Sequence, residues 1–469
     1  TDEGFYDAGD ADFSNYVSLG NSLTAGYADG ALYMSGQEDS YPNIMAEQFG
    51  FVGGGDFTQP LTSDNFGGLL YGGVQITGNR LVLSADENGN PFPTPLDGTP
   101  STDVTTSATG PFNNMGVPGA KSFHLVTPGY GSVAGVANGT ANPWFARFAT
   151  SESTTVLADA VSLNPTFFSL WIGNNDILGY ATSGGSGVDQ TGNFDPSTYG
   201  GNDITDPNVF AAAYSAQVDA LVAGGAKGVL LNIPDVTSIP YFTTVPTRSI
   251  PLDAATAGAV NAQFALYNGA LGQLVAGGFI SAEEAAIRAI NFIEGVNYPI
   301  MTDVDLTDVT AILIGAGLDP QTAALLGQLR QVKSDDLVVL TASSALGTVP
   351  DPSNPTGVVG VSIPLTNQYV LTTTEQARVA TAGASYNAII EGLAAANELG
   401  YGDMKSALAD VAANGAFYNG GVLTSTYVTG GAFSLDGVHP SPRGYAFTAN
   451  TIIDVINTTY NASIPKVDI

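Results

Sequence analysis

Tyr16-Val17-Ser18-Leu19-Gly20-Asn21-Ser22-Leu23 is a short apolar-rich run stopped by a glycine and followed at once by a hydroxyl side chain. Such a run, ended by Gly20, predicts a buried strand that turns sharply at its carboxyl end. Two later runs repeat the pattern: Phe167 to Ile172 (FFSLWI) stops at Gly173, and Gly228 to Ile233 (GVLLNI) stops at Pro234. Helical periodicity or small helix-forming residues precede them, as in Asn208 to Gly224 ahead of the third run. Strand, loop, helix, strand in repetition predicts an α/β domain with a parallel sheet and crossover helices.

Outward from these strands, the last helix is the clearest element. Ser441 is placed to cap it, Pro442 suits its first position, and Tyr445, Ala449, Ile452, Ile453 and Ile456 recur at helical spacing. Two segments read as additions. Residues about 50–109 are rich in Gly, Pro, Asn and Thr and predict long irregular loops or hairpins. Residues about 241–367 predict a mostly helical insertion. In it Val260, Phe264, Tyr267, Leu271 and Leu274 trace one face, Ser281 with Glu284 makes a capping box, and Asp319-Pro320 starts a helix. A helix from about Thr373 to Leu399, boxed by Thr373 and Gln376 and stopped by Gly400, returns the chain. The apolar stretch Leu408 to Val411 is ambiguous. Residues 1–15, acidic and Gly-rich at their start, predict a solvated tether or a frayed terminus, leaving 16–469 as the domain.

Charge narrows the function. Lys and Arg number 12 against 43 Asp and Glu, a formal charge of −31. That field repels phosphate backbones, which excludes nucleic-acid partners, and it disfavours anionic lipid surfaces and polyuronic substrates. Solubility in a salty or cold medium is its plain use. Zero cysteine excludes disulfides, thiol catalysis and Cys-ligated zinc. No run of about 18 apolar residues exists to span a membrane.

Ester cleavage by a serine needs an exposed hydroxyl on a rigid element, an imidazole to take its proton, a carboxylate to orient the ring, and donors for the oxyanion. Ser22, directly after the first strand, is the nucleophile candidate, although a serine there is also an ordinary turn or cap residue. Only His124 and His439 can serve as base. His439, in Asp436-Gly437-Val438-His439-Pro440, has Asp436 three residues earlier, close enough for a turn to bring the carboxylate to the ring. His124 has no such neighbour and reads as structural or loop-lining. Gly119, in a second glycine-rich turn, and Asn175, in Gly173-Asn174-Asn175-Asp176, are oxyanion candidates; both are also common loop residues.

The order Gly-Asn-Ser-Leu, Gly-x-x-Gly, Gly-Asn-Asn-Asp, Asp-Gly-Val-His-Pro resembles the SGNH hydrolases, also called the GDSL esterase/lipase family. The longer string Gly20 to Gly30 (GNSLTAGYADG) looks like a subgroup of large bacterial members, many of them exported lipoproteins. The resemblance implies a flavodoxin-like three-layer α/β/α sandwich without metal or organic cofactor. It implies Ser22 as nucleophile and oxyanion donor, Gly119 and Asn175 as further oxyanion donors, His439 as base and Asp436 as its acid. Export as a secreted or outer-surface protein follows from the same likeness, with a lipid anchor upstream of Thr1 as an option. Many members carry Asp where this chain has Asn21, which alters hydrogen bonding beside the nucleophile.

Two smaller patterns complete the reading. Asp86-x-Asn88-x-Asn90 with Asp97 faintly resembles a calcium loop, but Pro91 stands where such loops use Gly, so a polar turn is expected. Tyr27, Tyr33, Tyr180 and Trp144 are candidates to line an acyl or sugar pocket, or simply core. The expected partner is a small-molecule ester, with short-chain or acetyl esters of carbohydrates or other soluble compounds ahead of lipids. Lipase, phospholipase or acyltransferase chemistry would use the same residues. A non-catalytic surface or glycan-binding protein on the same fold is the alternative of another class.

Overall fold

The computed structural model describes residues 5–469. Its centre is a five-stranded parallel sheet. The strands are β1 (Tyr16–Gly20), β2 (Asn114–Gly116), β3 (Phe167–Trp171), β4 (Lys227–Leu231) and β5 (Gly400–Gly402). Their order across the sheet is β5-β4-β3-β1-β2, the flavodoxin-like arrangement. The three runs that predict strands are β1, β3 and β4. The other two are only three residues each, too short to carry a period.

Strands covered on both faces read as continuous apolar runs, and these do. The pleat sends Val17, Leu19, Phe168, Leu170 and Leu230 to one face, and Tyr16, Phe167, Trp171, Val229 and Leu231 to the other. Seven helices frame the sheet and its carboxyl edge: α1 (Tyr41–Phe49), α2 (Val156–Ser162), α3 (Asn175–Thr182), α4 (Pro207–Val222), α5 (Thr373–Ala396), α6 (Met404–Asn414) and α7 (Pro442–Tyr460). The first face packs on α2, α3, α4 and α5, the second on α1 and α7. Three layers result. Ser441 caps α7 through Gly444 N at 3.1 Å, and Ile452, Ile453 and Ile456 are fully buried, each worth about 1.5–3 kcal/mol.

Local details differ from expectation. The capping box of α5 is Thr372 with Glu375, one residue earlier than the Thr373–Gln376 pairing. Three threonines in a row permit either register, and the carboxylate is the better acceptor for the Thr372 N–H, at 2.7 Å. The helix ends at Ala396, and Gly400 opens β5 instead of stopping the helix. Of the expected tether, residues 1–4 lie outside the described residues. The rest is docked: Ser463 N donates to Asp7 O at 2.8 Å, and Phe13 stacks on Phe49 at 4.3 Å. Phe13 supplies apolar area that an acidic count overlooks.

The early addition forms a three-stranded sheet and the hairpin Leu81–Ala85/Pro91–Pro95. The later one has its own core, where helix Ala254–Ala276 lays Val260, Phe264, Tyr267, Leu271 and Leu274 against Ile300, Leu313 and Leu329. Its helices are concentrated in the first part. Beyond Arg288, short antiparallel pairs and irregular chain join two helices of six and seven residues. No described helix is long and apolar enough to cross a membrane.

Candidate active site

β1 delivers Ser22. A Cβ on Gly20 would collide with Thr24 Oγ1 and the Trp171 carbonyl, so only glycine lets the strand turn this tightly. Asn21 caps the single helical turn Ser22–Ala25, its Oδ1 accepting from Leu23 N at 3.0 Å. The Asn21 amide donates to Asn174 Oδ1 at 3.0 Å, tying the nucleophile turn to the loop after β3. Because β1 lies between β2 and β3, Ser22 stands where the strand order reverses, the ligand-binding crevice of open α/β sheets.

The loop before α7 brings the imidazole. His439 Nε2 lies 2.8 Å from Ser22 Oγ, although the two residues are 417 positions apart. Its Nδ1 lies 2.8 Å from Asp436 Oδ2. The carboxylate is fully engaged. Oδ1 accepts from the N–H groups of Val438 and His439, both at 2.8 Å, and from Ser434 Oγ at 3.2 Å; Oδ2 also accepts from Gly30 N at 2.9 Å. Burial alone would push its pKa up, but the neighbouring His439 and these donors outweigh it and hold the pKa at about 2. An anionic Asp436 keeps the proton on Nδ1, which leaves Nε2 to accept from the Ser22 hydroxyl.

Of the residues holding this pair together, Asp29 and Ser434 escaped the sequence reading, and Tyr27, Tyr33 and Trp144 entered it only as pocket or core candidates. Asp29 Oδ1 accepts from Leu435 N and its own N–H donates to Ser434 Oγ, both at 2.9 Å. Tyr33 Oη donates to Asp29 Oδ2 at 2.8 Å. Tyr27 stands against the His439 ring, centroids 4.8 Å apart, with Trp144 behind it at 6.5 Å. The string Ala25-Gly-Tyr-Ala-Asp-Gly30 is thus a clamp on the histidine loop. Its signal was present as Asp29-Gly30, seven residues after the nucleophile.

Asn175 begins α3, and its amide donates to Ala120 O at 2.9 Å, joining the β3 loop to the turn that carries Gly119. Gly119 is exposed with φ +81, a conformation that favours glycine, and its backbone N–H has no acceptor among the described residues. Asn142 pins this turn by donating to Pro118 O at 2.8 Å. His124 is elsewhere: Nδ1 accepts from Lys121 N at 3.0 Å, and the ring stacks on Tyr130 at 4.5 Å. Burial and then the Lys121 charge lower its pKa to about 4, so it stays neutral.

A cavity of about 110 Å³ opens beside Ser22 and His439. Its aromatic residues are Trp171, Phe433 and Phe447 rather than the four candidates named from sequence. Of those four, Tyr180 is buried and accepts from Arg378 Nη1 at 3.0 Å. The Asp86 carboxylate is occupied by its own turn, accepting from the N–H groups of Asn88 and Asn90 at 2.8 Å. No cluster of three or more His, Cys, Asp or Glu among the described residues is arranged to hold a metal. Comparison of the chain with family models, curated proteins and solved structures yields no match.

Proposed function

We propose that this chain is a carboxylic ester hydrolase of the SGNH type that works through an acyl-enzyme on Ser22. The observation that carries the reading is the unbroken relay from Ser22 Oγ through His439 to an Asp436 carboxylate kept anionic by its donors. A surface or glycan-binding site has no use for a buried anion aimed through an imidazole at a hydroxyl.

In the first half-reaction Ser22 Oγ attacks the ester carbonyl carbon while His439 Nε2 takes its proton. The oxyanion is met by the N–H groups of Ser22 and Gly119 and the Asn175 amide, each such donor worth about 10²–10³ in turnover. Asp436 stabilises the imidazolium that forms. The C–O bond to the alcohol then breaks, and Nε2 returns its proton to the leaving oxygen. Water repeats the sequence on the acyl-enzyme, releasing the carboxylic acid and restoring the Ser22 hydroxyl.

Hydrolysis of p-nitrophenyl butyrate by the parent chain and by Ser22→Ala tests this. Turnover by the parent that falls to the buffer rate in the variant supports it. Equal rates in both, with both folded, would reject Ser22 as the nucleophile.

A further inference from the structure

Resting on the ester-hydrolase reading, we propose that the cavity beside Ser22 binds the alkyl chain of the acyl group, making medium-chain fatty acyl esters the preferred substrates. This departs from the short-chain and acetyl esters that the acidic composition favours.

The cavity is polar at one end only. Asn21, Ser22, Asn174, Asn175 and His439 gather there, and the rest of the wall is apolar, with Leu178 of α3, Val236, Leu408 and Val411 of α6, Phe433, and Phe447 of α7. Two other polar side chains reach the wall, and both are spent internally. Trp171 Nε1 donates to Asn232 O at 3.0 Å, and Thr448 Oγ1 donates to Gly444 O at 2.9 Å. A sugar placed here would lose its water without gaining partners for its hydroxyls. No Lys, Arg, Asp or Glu lines the cavity, so a charged headgroup has no counter-ion. An acetyl methyl would leave most of the space unfilled, whereas an alkyl chain exchanges water for the apolar wall along its length.

The acyl part is the better occupant than the alcohol. Through both half-reactions the acyl carbon stays on or beside Ser22 Oγ, so chain burial stabilises both transition states. The alcohol must leave before water can enter. Ester and water give acid and alcohol, with the protons carried by His439 as above.

Each buried methylene is worth about fourfold in binding, so the six added from acetyl to octanoyl should raise kcat/KM by about 10³–10⁴ when all are buried. The test measures p-nitrophenyl acetate, butyrate, hexanoate and octanoate below their aggregation limits, beside acetates of lengthening alcohols. Ala407→Phe and Leu408→Trp on α6 would fill the cavity, and circular dichroism checks their fold. The inference predicts a rise with acyl length, no comparable rise with alcohol length, and an octanoate-to-acetate ratio at least about tenfold lower in both variants. A flat or falling acyl profile with acetate still hydrolysed, a rise with alcohol length alone, or unchanged ratios in both folded variants would overturn it while leaving the ester reading intact. No turnover of any ester would remove the reading on which it rests.

Discussion

Asp436→Asn is the substitution whose consequences follow most fully from the geometry. The side chain keeps its shape but loses its charge and one acceptor oxygen. Five donors converge on the native carboxylate: the N–H groups of Gly30, Val438 and His439, the Ser434 hydroxyl and the His439 Nδ1–H. An amide NH₂ in that place meets donors where it needs acceptors. If it faces the ring, Nδ1 must become the acceptor, and Nε2 then carries the hydrogen and points it at Ser22. The base is thereby lost without moving an atom by much. In hydrolases built on this arrangement the change costs about 10⁴ in turnover. The stability cost is separate. A folded pKa of about 2 against a usual 3.8 is roughly two units, or about 2–3 kcal/mol. Because the folded pKa is depressed, that stability is complete above the unfolded value and is lost as pH falls from about 4 to about 2. The assay is kcat/KM for p-nitrophenyl butyrate at pH 7.5, beside thermal melts from pH 2 to 7. Activity within tenfold of the parent in a folded variant would refute the claim that this carboxylate sets the imidazole's tautomer.

Other substitutions separate the remaining roles. His439→Ala should lower kcat/KM by at least about 10⁴, whereas His124→Ala should keep turnover and lose about 1 kcal/mol of stability with its Tyr130 stack, read by activity and thermal melts. Asn21→Asp should remain within about tenfold of the parent, because Asn174 can turn its amide to donate to the new carboxylate. Asn21→Leu should destabilise by about 1–3 kcal/mol by stranding Asn174, a difference that denaturant titration measures. Glu375 titrates on the opposite side from Asp436: burial raises its pKa to about 7, against the Thr372 hydrogen bonds that lower it. With a folded pKa above the unfolded value of about 4.5, its contribution is complete below pH 4.5, falls as pH rises through 7 and is gone above it, by about 3 kcal/mol at most. Glu375→Gln, which stays neutral across this range, should therefore melt higher than the parent at pH 8 and equally at pH 4.5.

The sheet was legible where strands are buried on both faces, because Tyr16–Gly20, Phe167–Trp171 and Lys227–Leu231 leave continuous apolar runs. The edge strands Asn114–Gly116 and Gly400–Gly402 left none, since three residues with one or two glycines among them carry no period. Ser22, Asp436 and His439 were legible because each sits in a short run whose spacing suits one task, and only two histidines compete. Their support was not. Asp29, Gly30 and Ser434 act across more than four hundred residues of chain, and no local pattern reports such a meeting. The acyl cavity was hidden for the same reason. Leu408 and Val411 read as an ambiguous stretch until α6 is placed beside Phe433 and Phe447.

Covalent capture reaches the nucleophile most directly. Incubation with a fluorophosphonate, followed by peptide mapping, should place a single stoichiometric adduct on Ser22, formed rapidly by the parent and far more slowly by His439→Ala. An adduct on a different serine, or none on a folded chain, would contradict it.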